Sequence, residues 1–137
     1  MTRLATAHHV VMVDDNAGDI YIAEYCFRRS KVSNPWLAFT SGPDFLAYLA
    51  RVQSSEAPMP ALVLLDINMP QMSGLDVLRE TRANPFFADL PVFCMLTSSS
   101  DPRDEATARE LGASGFATKP GTTEEYVALF DSFVSSL

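Results

Sequence analysis

Residues 61–74 read ALVLLDINMPQMSG, and the order of residue types in that stretch decides the fold. Ala61 to Leu65 is an unbroken apolar run too short for a buried helix, which is the signature of a strand covered on both faces of a parallel sheet. The run ends abruptly on Asp66. Seven residues later Ser73 and Asp76 stand at the spacing of a capping box, so a helix starts there. Strand, carboxylate, loop and helix follow one another without a spacer, as in an open α/β sheet that presents polar groups at the carboxyl ends of its strands.

The same alternation extends in both directions. Val10 to Val13, Trp36 to Thr40, Val92 to Leu96 and Gly115 to Thr118 read as four further strands. Between them lie helical stretches with recognisable starts, where a short polar side chain can accept from the orphan N–H groups of the first turn. Asn16 precedes the first helix. Ser41 with Gly42 and Pro43 introduces the second, Asp101, Pro102 and Asp104 the fourth, and Thr122 with Glu125 the fifth. The fourth helix is expected to end at Leu111, with Gly112 free to take a left-handed stop. The fifth carries Tyr126, Leu129, Phe130, Phe133 and Leu137 on one stripe. Ala83 to Pro91 is the least regular segment and reads as a loop, with Phe86 and Phe87 packed under it in preference to forming part of a partner surface. Five strands alternating with five helices imply a parallel sheet with right-handed crossovers and helices on both faces.

Composition bounds the function. The chain has 137 residues, 47% of them apolar and 20% charged, enough for one domain with its own core (residues 1–137, core about 9–136) and far from a disordered composition. A net charge of -7 and the lack of any basic stripe argue against a nucleic-acid partner. No apolar run reaches membrane-spanning length and Met1 to His9 does not resemble a signal peptide, so a cytoplasmic location is expected. Cys26 and Cys94 stand in apolar surroundings without metal or redox spacing, and read as core thiols. His8 and His9 are too few for a metal site.

Chemistry collects where the strands end. Asp14 and Asp15 follow the first strand, Asp66 the third, Thr97 the fourth and Lys119 the fifth. Each alone has a plain reading as a turn, a cap or a solvated lysine; four strand ends aimed at one edge do not. Three gathered carboxylates repel each other and call for a cation, and hard carboxylate oxygens suit Mg²⁺, with the carbonyl oxygen of Asn68 near enough along the chain to join them. Lys119 and the Thr97 hydroxyl suit the oxygens of an incoming phosphoryl group. A carboxylate needs no general base to act as nucleophile, and Asp66, in the middle of the sheet, is the choice.

The acidic pair Asp14-Asp15, the run LLDINMPQMSG from Leu64 to Gly74, the MLTSS segment around Thr97 and the dipeptide Lys119-Pro120 together resemble the receiver domains of two-component response regulators. The resemblance covers the chain from about His9 to the last helix. It implies a flavodoxin-like receiver fold with strand order 2-1-3-4-5. It further implies that Asp66 is the phosphoacceptor, that Asp14, Asp15, Asp66 and Asn68 hold Mg²⁺, and that Thr97 and Lys119 contact the phosphoryl group. Phe116 falls at the position of the family's rotamer-switching aromatic, with a plain core aromatic as the other reading, and a cis Lys119–Pro120 bond is implied as well. The domain would not be an enzyme acting on a separate substrate, but would take part in its own phosphorylation and dephosphorylation. The implied partner is a sensor histidine kinase, a bacteriophytochrome among the candidates because the long third connection is similar to that of small regulators paired with phytochrome-type kinases, or a histidine phosphotransfer protein. The surface of the fourth helix, fifth strand and fifth helix is where many receivers dimerise or bind targets, so a homodimer is among the arrangements the resemblance allows; Val127 and Val134, beside the core stripe, read as core edge in preference to part of that surface.

Two rivals share parts of this pattern. A phosphatase of the haloacid dehalogenase type needs an Asp two residues after its nucleophile, and Asn68 cannot transfer a proton. A flavodoxin-like binding module would place a phosphate after the first strand, where Asp14 and Asp15 repel it.

Overall fold

The computed structural model describes residues 8–98 and 101–133. Five parallel strands, β1 (Val10–Val13), β2 (Trp36–Phe39), β3 (Leu62–Asp66), β4 (Val92–Thr97) and β5 (Gly115–Thr118), form one sheet in the order β2-β1-β3-β4-β5. The connecting helices are α1 (Ala17–Arg29), α2 (Gly42–Gln53), α3 (Gly74–Ala83), α4 (Pro102–Glu110) and α5 (Thr123–Asp131). The expected alternation and strand order are therefore the observed ones.

The sheet sorts its side chains by the period of two inherent to a strand. Val11, Val13, Val63, Leu65, Phe93 and Met95 point to one face and meet Phe45, Val77, Leu78 and Ala108 from α2, α3 and α4. Their alternates Val10, Met12, Leu62, Leu64, Cys94 and Leu96 meet Ala23, Cys26, Phe27, Tyr126 and Phe130 from α1 and α5. Both cysteines are buried and free, and burial pushes the Cys94 thiol up to about 11. Leu129, Phe133 and Val127 are partly buried against the second cluster, which makes Val127 core edge; Leu137 and Val134 lie outside the described residues.

The helix starts follow the predicted caps. Asn16, Ser41, Ser73, Asp101 and Thr122 each accept from a backbone N–H of the first turn, and Ser73 with Asp76 completes the reciprocal box. Gly112, just past α4, has φ +101°, the left-handed stop for which glycine is suited.

The segment before β4 departs in part from expectation. Pro85–Phe87 form a turn of 3-10 helix, Phe87 is buried and Phe86 is 48% exposed. Successive side chains in a 3-10 turn diverge by about 120°, so only one of the two rings can reach the core. The loop is instead fastened by Arg82, whose guanidinium donates to the carbonyl oxygens of Gly112 (3.0 Å), Phe87 (2.9 Å) and Pro91 (3.1 Å) and lies 5.0 Å from the centre of the Phe93 ring. This clasp joins the amino ends of β4 and β5.

Candidate functional site

The carboxyl edge of the sheet is set by register. β3 lies between β1 and β4, so Asp66 leaves the middle of the sheet with the β1 end on one side and Thr97 on the other. Strand order reverses around β1 and β3, the place where open α/β sheets leave a crevice for ligands. The loop after Asp66 turns back at once. The Asn68 N–H donates to Asp66 Oδ1 at 3.1 Å and the Gly74 N–H to the Ile67 carbonyl at 3.0 Å. A Cβ on Gly74 would come within 2.2 Å of the Asp66 carbonyl oxygen, so the start of α3 is packed directly against the backbone of the acid.

Asp14 and Asp66 are buried, whereas Asp15 is exposed. One carboxylate oxygen from each can be chosen so that all three lie within 4.8 Å of one another. The Lys119 ammonium enters this cluster from β5. Its Nζ is 2.9 Å from Asp14 Oδ2, 3.0 Å from Asp19 Oδ2 and 3.5 Å from Asp66 Oδ2. The Asn16 N–H donates to the other oxygen of Asp14 at 2.9 Å, and the Thr97 hydroxyl donates to Asn68 Oδ1 at 3.3 Å. The structure thus brings together Asp14, Asp15, Asp66, Asn68, Thr97 and Lys119. Phe116, paired in register with Met95, stands half-buried against the core formed with α2, α3 and α4.

Electrostatics here are unbalanced. Burial, and after it the negative charge of Asp14, push the Asp66 carboxyl up to about 6, against the opposing pull of Lys119 and of the Asn68 N–H. Burial works against the Lys119 ammonium too, but the hydrogen bonds to Asp14 and Asp19 and the charges of Asp14 and Asp66 outweigh it and hold the lysine above its ordinary value. Two buried acids sharing one lysine leave net negative charge. A hard divalent cation fits this donor set: the oxygens are all carboxylate, three of them converge, and the exposed Asp15 lies on the solvent side.

Two features were not anticipated. Asp19 joins the cluster from the first turn of α1, where an acid is ordinarily read as complementing the helix dipole; its distance to Lys119, 100 positions away, left no mark in the local sequence. The cis peptide bond falls at Leu90–Pro91, not at Lys119–Pro120 as expected. Lys119 is placed over the site by its N–H, which donates to the Thr97 carbonyl at 2.7 Å, and by its ion pairs with Asp14 and Asp19.

Beside Lys119 opens a groove of about 520 Å³ lined by Asp19, Tyr21, Ile22, Tyr25 and Tyr126. Tyr21 is 74% exposed, Ile22 50% and Tyr25 47%.

Residues 10–131 match the model of the response regulator receiver domain. Response regulator Rcp1 of Synechocystis sp. is 29% identical over 111 residues, covering 80% of this chain and 75% of that protein. Among solved structures, response regulator RPA3017 in red light signaling of R. palustris superimposes with a TM-score of 0.81 at 27% identity, over 92% of this chain and 90% of the other. The bacteriophytochrome response regulator RtBRR does so with a TM-score of 0.75 at 30% identity, over 89% and 75% of the two chains.

Proposed function

The chain belongs to the response regulator receiver family, and from that premise we propose that it accepts a phosphoryl group on Asp66. The observation that carries this reading is the placing of Asp66 at the end of the central strand, with Asp14 and Asp15 converging beside it and the Lys119 ammonium 3.5 Å away. A carboxylate oxygen of Asp66 attacks the phosphorus of the donor; the new P–O bond forms as the bond from phosphorus to the donor breaks, and the electron pair leaves with the donor. For a phosphohistidine the leaving group is the imidazole. Lys119 and the Thr97 hydroxyl bind the phosphoryl oxygens, and Asn68, which now holds that hydroxyl at 3.3 Å, releases it.

Asp14, Asp15, Asp66 and Asn68 would hold Mg²⁺, which when bound offsets the charge of the acids and of the phosphoryl oxygens. Phosphorylation puts a new dianionic group into a crowded edge, drawing Thr97 and Lys119 toward Asp66. Phe116 lies on the next strand, and a phenyl ring has no hydroxyl to bond in a new position, so its part in the switch is one of packing.

The likeness to regulators of red-light and bacteriophytochrome signalling supports a histidine kinase of phytochrome type, or a histidine phosphotransfer protein, as donor. The groove beside Lys119, walled by Tyr21, Ile22 and Tyr25, gives the donor's chain an apolar place to rest. The proposal includes residues 1–137 as one receiver domain in the cytoplasm, signalling rather than transforming a separate substrate, with a homodimer as one route of output. Among the described residues no helix is long and apolar enough to cross a membrane.

The test is intact mass after incubation with Mg²⁺ and acetyl phosphate. A gain of one phosphoryl group that disappears in Asp66→Asn and without Mg²⁺ is expected, and an earlier elution on size exclusion would identify dimerisation as output. No gain with acetyl phosphate or with any candidate kinase would overturn the reading.

A further inference from the structure

Lys119 has no N–H donor to spare. Its ammonium carries three N–H donors, and the two shortest contacts go to Asp14 at 2.9 Å and Asp19 at 3.0 Å, with Asp66 third at 3.5 Å. Asp14 belongs to the acidic pair beside Asp66, but Asp19 does not belong to the cluster of converging carboxylates. It stands in the first turn of α1 and on the wall of the groove. Among the described residues its carboxylate pairs with Lys119. The lysine is thus held more closely by Asp14 and Asp19 than by Asp66, the carboxyl that it must serve.

We infer that Asp19 is a positioning residue: it competes with the Asp66 site for the Lys119 ammonium, and the Lys119–Asp19 pair must open for the phosphoryl group to be bound. This rests on the phosphoacceptor reading above and adds the regulation of that site. Two consequences follow from the geometry. The pair is partly exposed, at 19% for Lys119 and 39% for Asp19, so solvent screens it and its opening is inexpensive. The same carboxylate lines the groove with Tyr21 and Tyr25, so a donor resting there would lie beside the pair.

The sequence makes the lysine unusually easy to observe, because the chain has only two, Lys31 and Lys119. In ¹⁵N-lysine-labelled protein carrying Lys31→Arg, the one side-chain ammonium resonance is that of Lys119. Its proton exchange is slowed while it is hydrogen-bonded. In Asp19→Asn the exchange should accelerate and the resonance should move, while Asp19→Glu, which retains the charge, should stay near the parent. The rate of phosphoryl uptake from acetyl phosphate in Mg²⁺ should rise by about twofold to fivefold in Asp19→Asn, the worth of a partly exposed ion pair, and remain near the parent in Asp19→Glu. On phosphorylation the parent resonance should shift, and the Asn variant should reach the same end point.

If Asp19→Asn folds with an unchanged Lys119 resonance, or takes up phosphoryl groups at the parent rate or more slowly, the inference is wrong. If the parent protein itself takes up none, the phosphoacceptor reading fails instead; the two failures are separated by that control.

Discussion

Two cations bind the ends of the same sheet, and they are satisfied in opposite ways. At the amino ends of β4 and β5, Arg82 spreads its planar guanidinium over three neutral carbonyl oxygens, from Phe87, Pro91 and Gly112. At the carboxyl ends, Lys119 is set among three charged groups, Asp14, Asp19 and Asp66, at 2.9, 3.0 and 3.5 Å. A fixed fork on fixed backbone acceptors has one good arrangement. A point charge among rival carboxylates has several of similar energy. One end of the sheet is therefore held and the other is poised to rearrange, which is what a switch on a stable frame requires.

The largest effect should come from the held end. Arg82→Ala removes three charge-assisted hydrogen bonds and leaves carbonyls partly buried, and should cost about 2–3 kcal/mol in urea unfolding. Arg82→Lys should recover only part, since one ammonium cannot span three diverging acceptors. In both variants phosphoryl uptake by the folded fraction should be unchanged. A slowed uptake would mean that the two ends are coupled and that the carboxyl end does not rearrange independently of the frame.

At the poised end, Asp66→Asn should instead stabilise the metal-free protein at pH 7, by about 1–3 kcal/mol, while abolishing phosphoryl uptake. The sign follows from proton linkage. With the carboxyl pushed up to about 6 from an ordinary 3.8, the folded state binds more protons than the unfolded state between those values. Stability from this group is thus lost as pH rises from about 4 to 6, and the loss is complete above that window. Unfolding of parent and variant from pH 3 to 7 should show the advantage of Asn vanishing below about pH 4. An Asn variant less stable than the parent at pH 7 would show that Asp66 is held by attraction, not strained by repulsion.

Mg²⁺ should relieve the same repulsion. At about tenfold its dissociation constant it should stabilise the parent by about 1.4 kcal/mol, read as a rise in melting temperature. Asp15→Asn should lose most of that rise with little change in the metal-free stability, because Asp15 is exposed and takes no part in the Lys119 pairs. An equal rise in the variant would place the ion elsewhere.

What the sequence made legible divides along the same line. Strands were readable because β1, β3 and β4 are covered on both faces and so carry unbroken apolar runs. Helix starts were readable because Asn16, Ser41, Ser73, Asp101 and Thr122 act within three residues of themselves. The gathering of polar residues at strand ends was readable because register carries them to one edge. Arg82 and Asp19 were not, since each matters through a partner 30 or 100 positions away and each has an ordinary local reading on a helix surface. Phe86 and Phe87 were indistinguishable until the 3-10 turn put one ring inward and the other outward. The cis bond was expected at Lys119–Pro120 from family likeness alone; no local signal separated that Pro from Pro91.

The smallest effect tests whether the boundary between held and poised lies within the loop that follows Asp66. Ser73 caps α3 and exchanges hydrogen bonds with Asp76, so Ser73→Ala should cost about 1 kcal/mol. Asp76 is held below the usual carboxylate range first by its hydrogen bond to Arg79 and then by those to Ser73. The sign is opposite to that of Asp66: this group stabilises above its unfolded value, and the contribution is lost as pH falls through the lowered one. Two carboxylates ten positions apart thus give stability slopes of opposite direction, one at the proposed phosphoacceptor and one at the acid that fixes the helix behind it. Gly74 separates them, its backbone packed so closely that a Cβ would strike the Asp66 carbonyl. If Ser73→Ala changes only unfolding, α3 starts as part of the frame; if it also alters phosphoryl uptake, the movable region reaches through Gly74 into the helix.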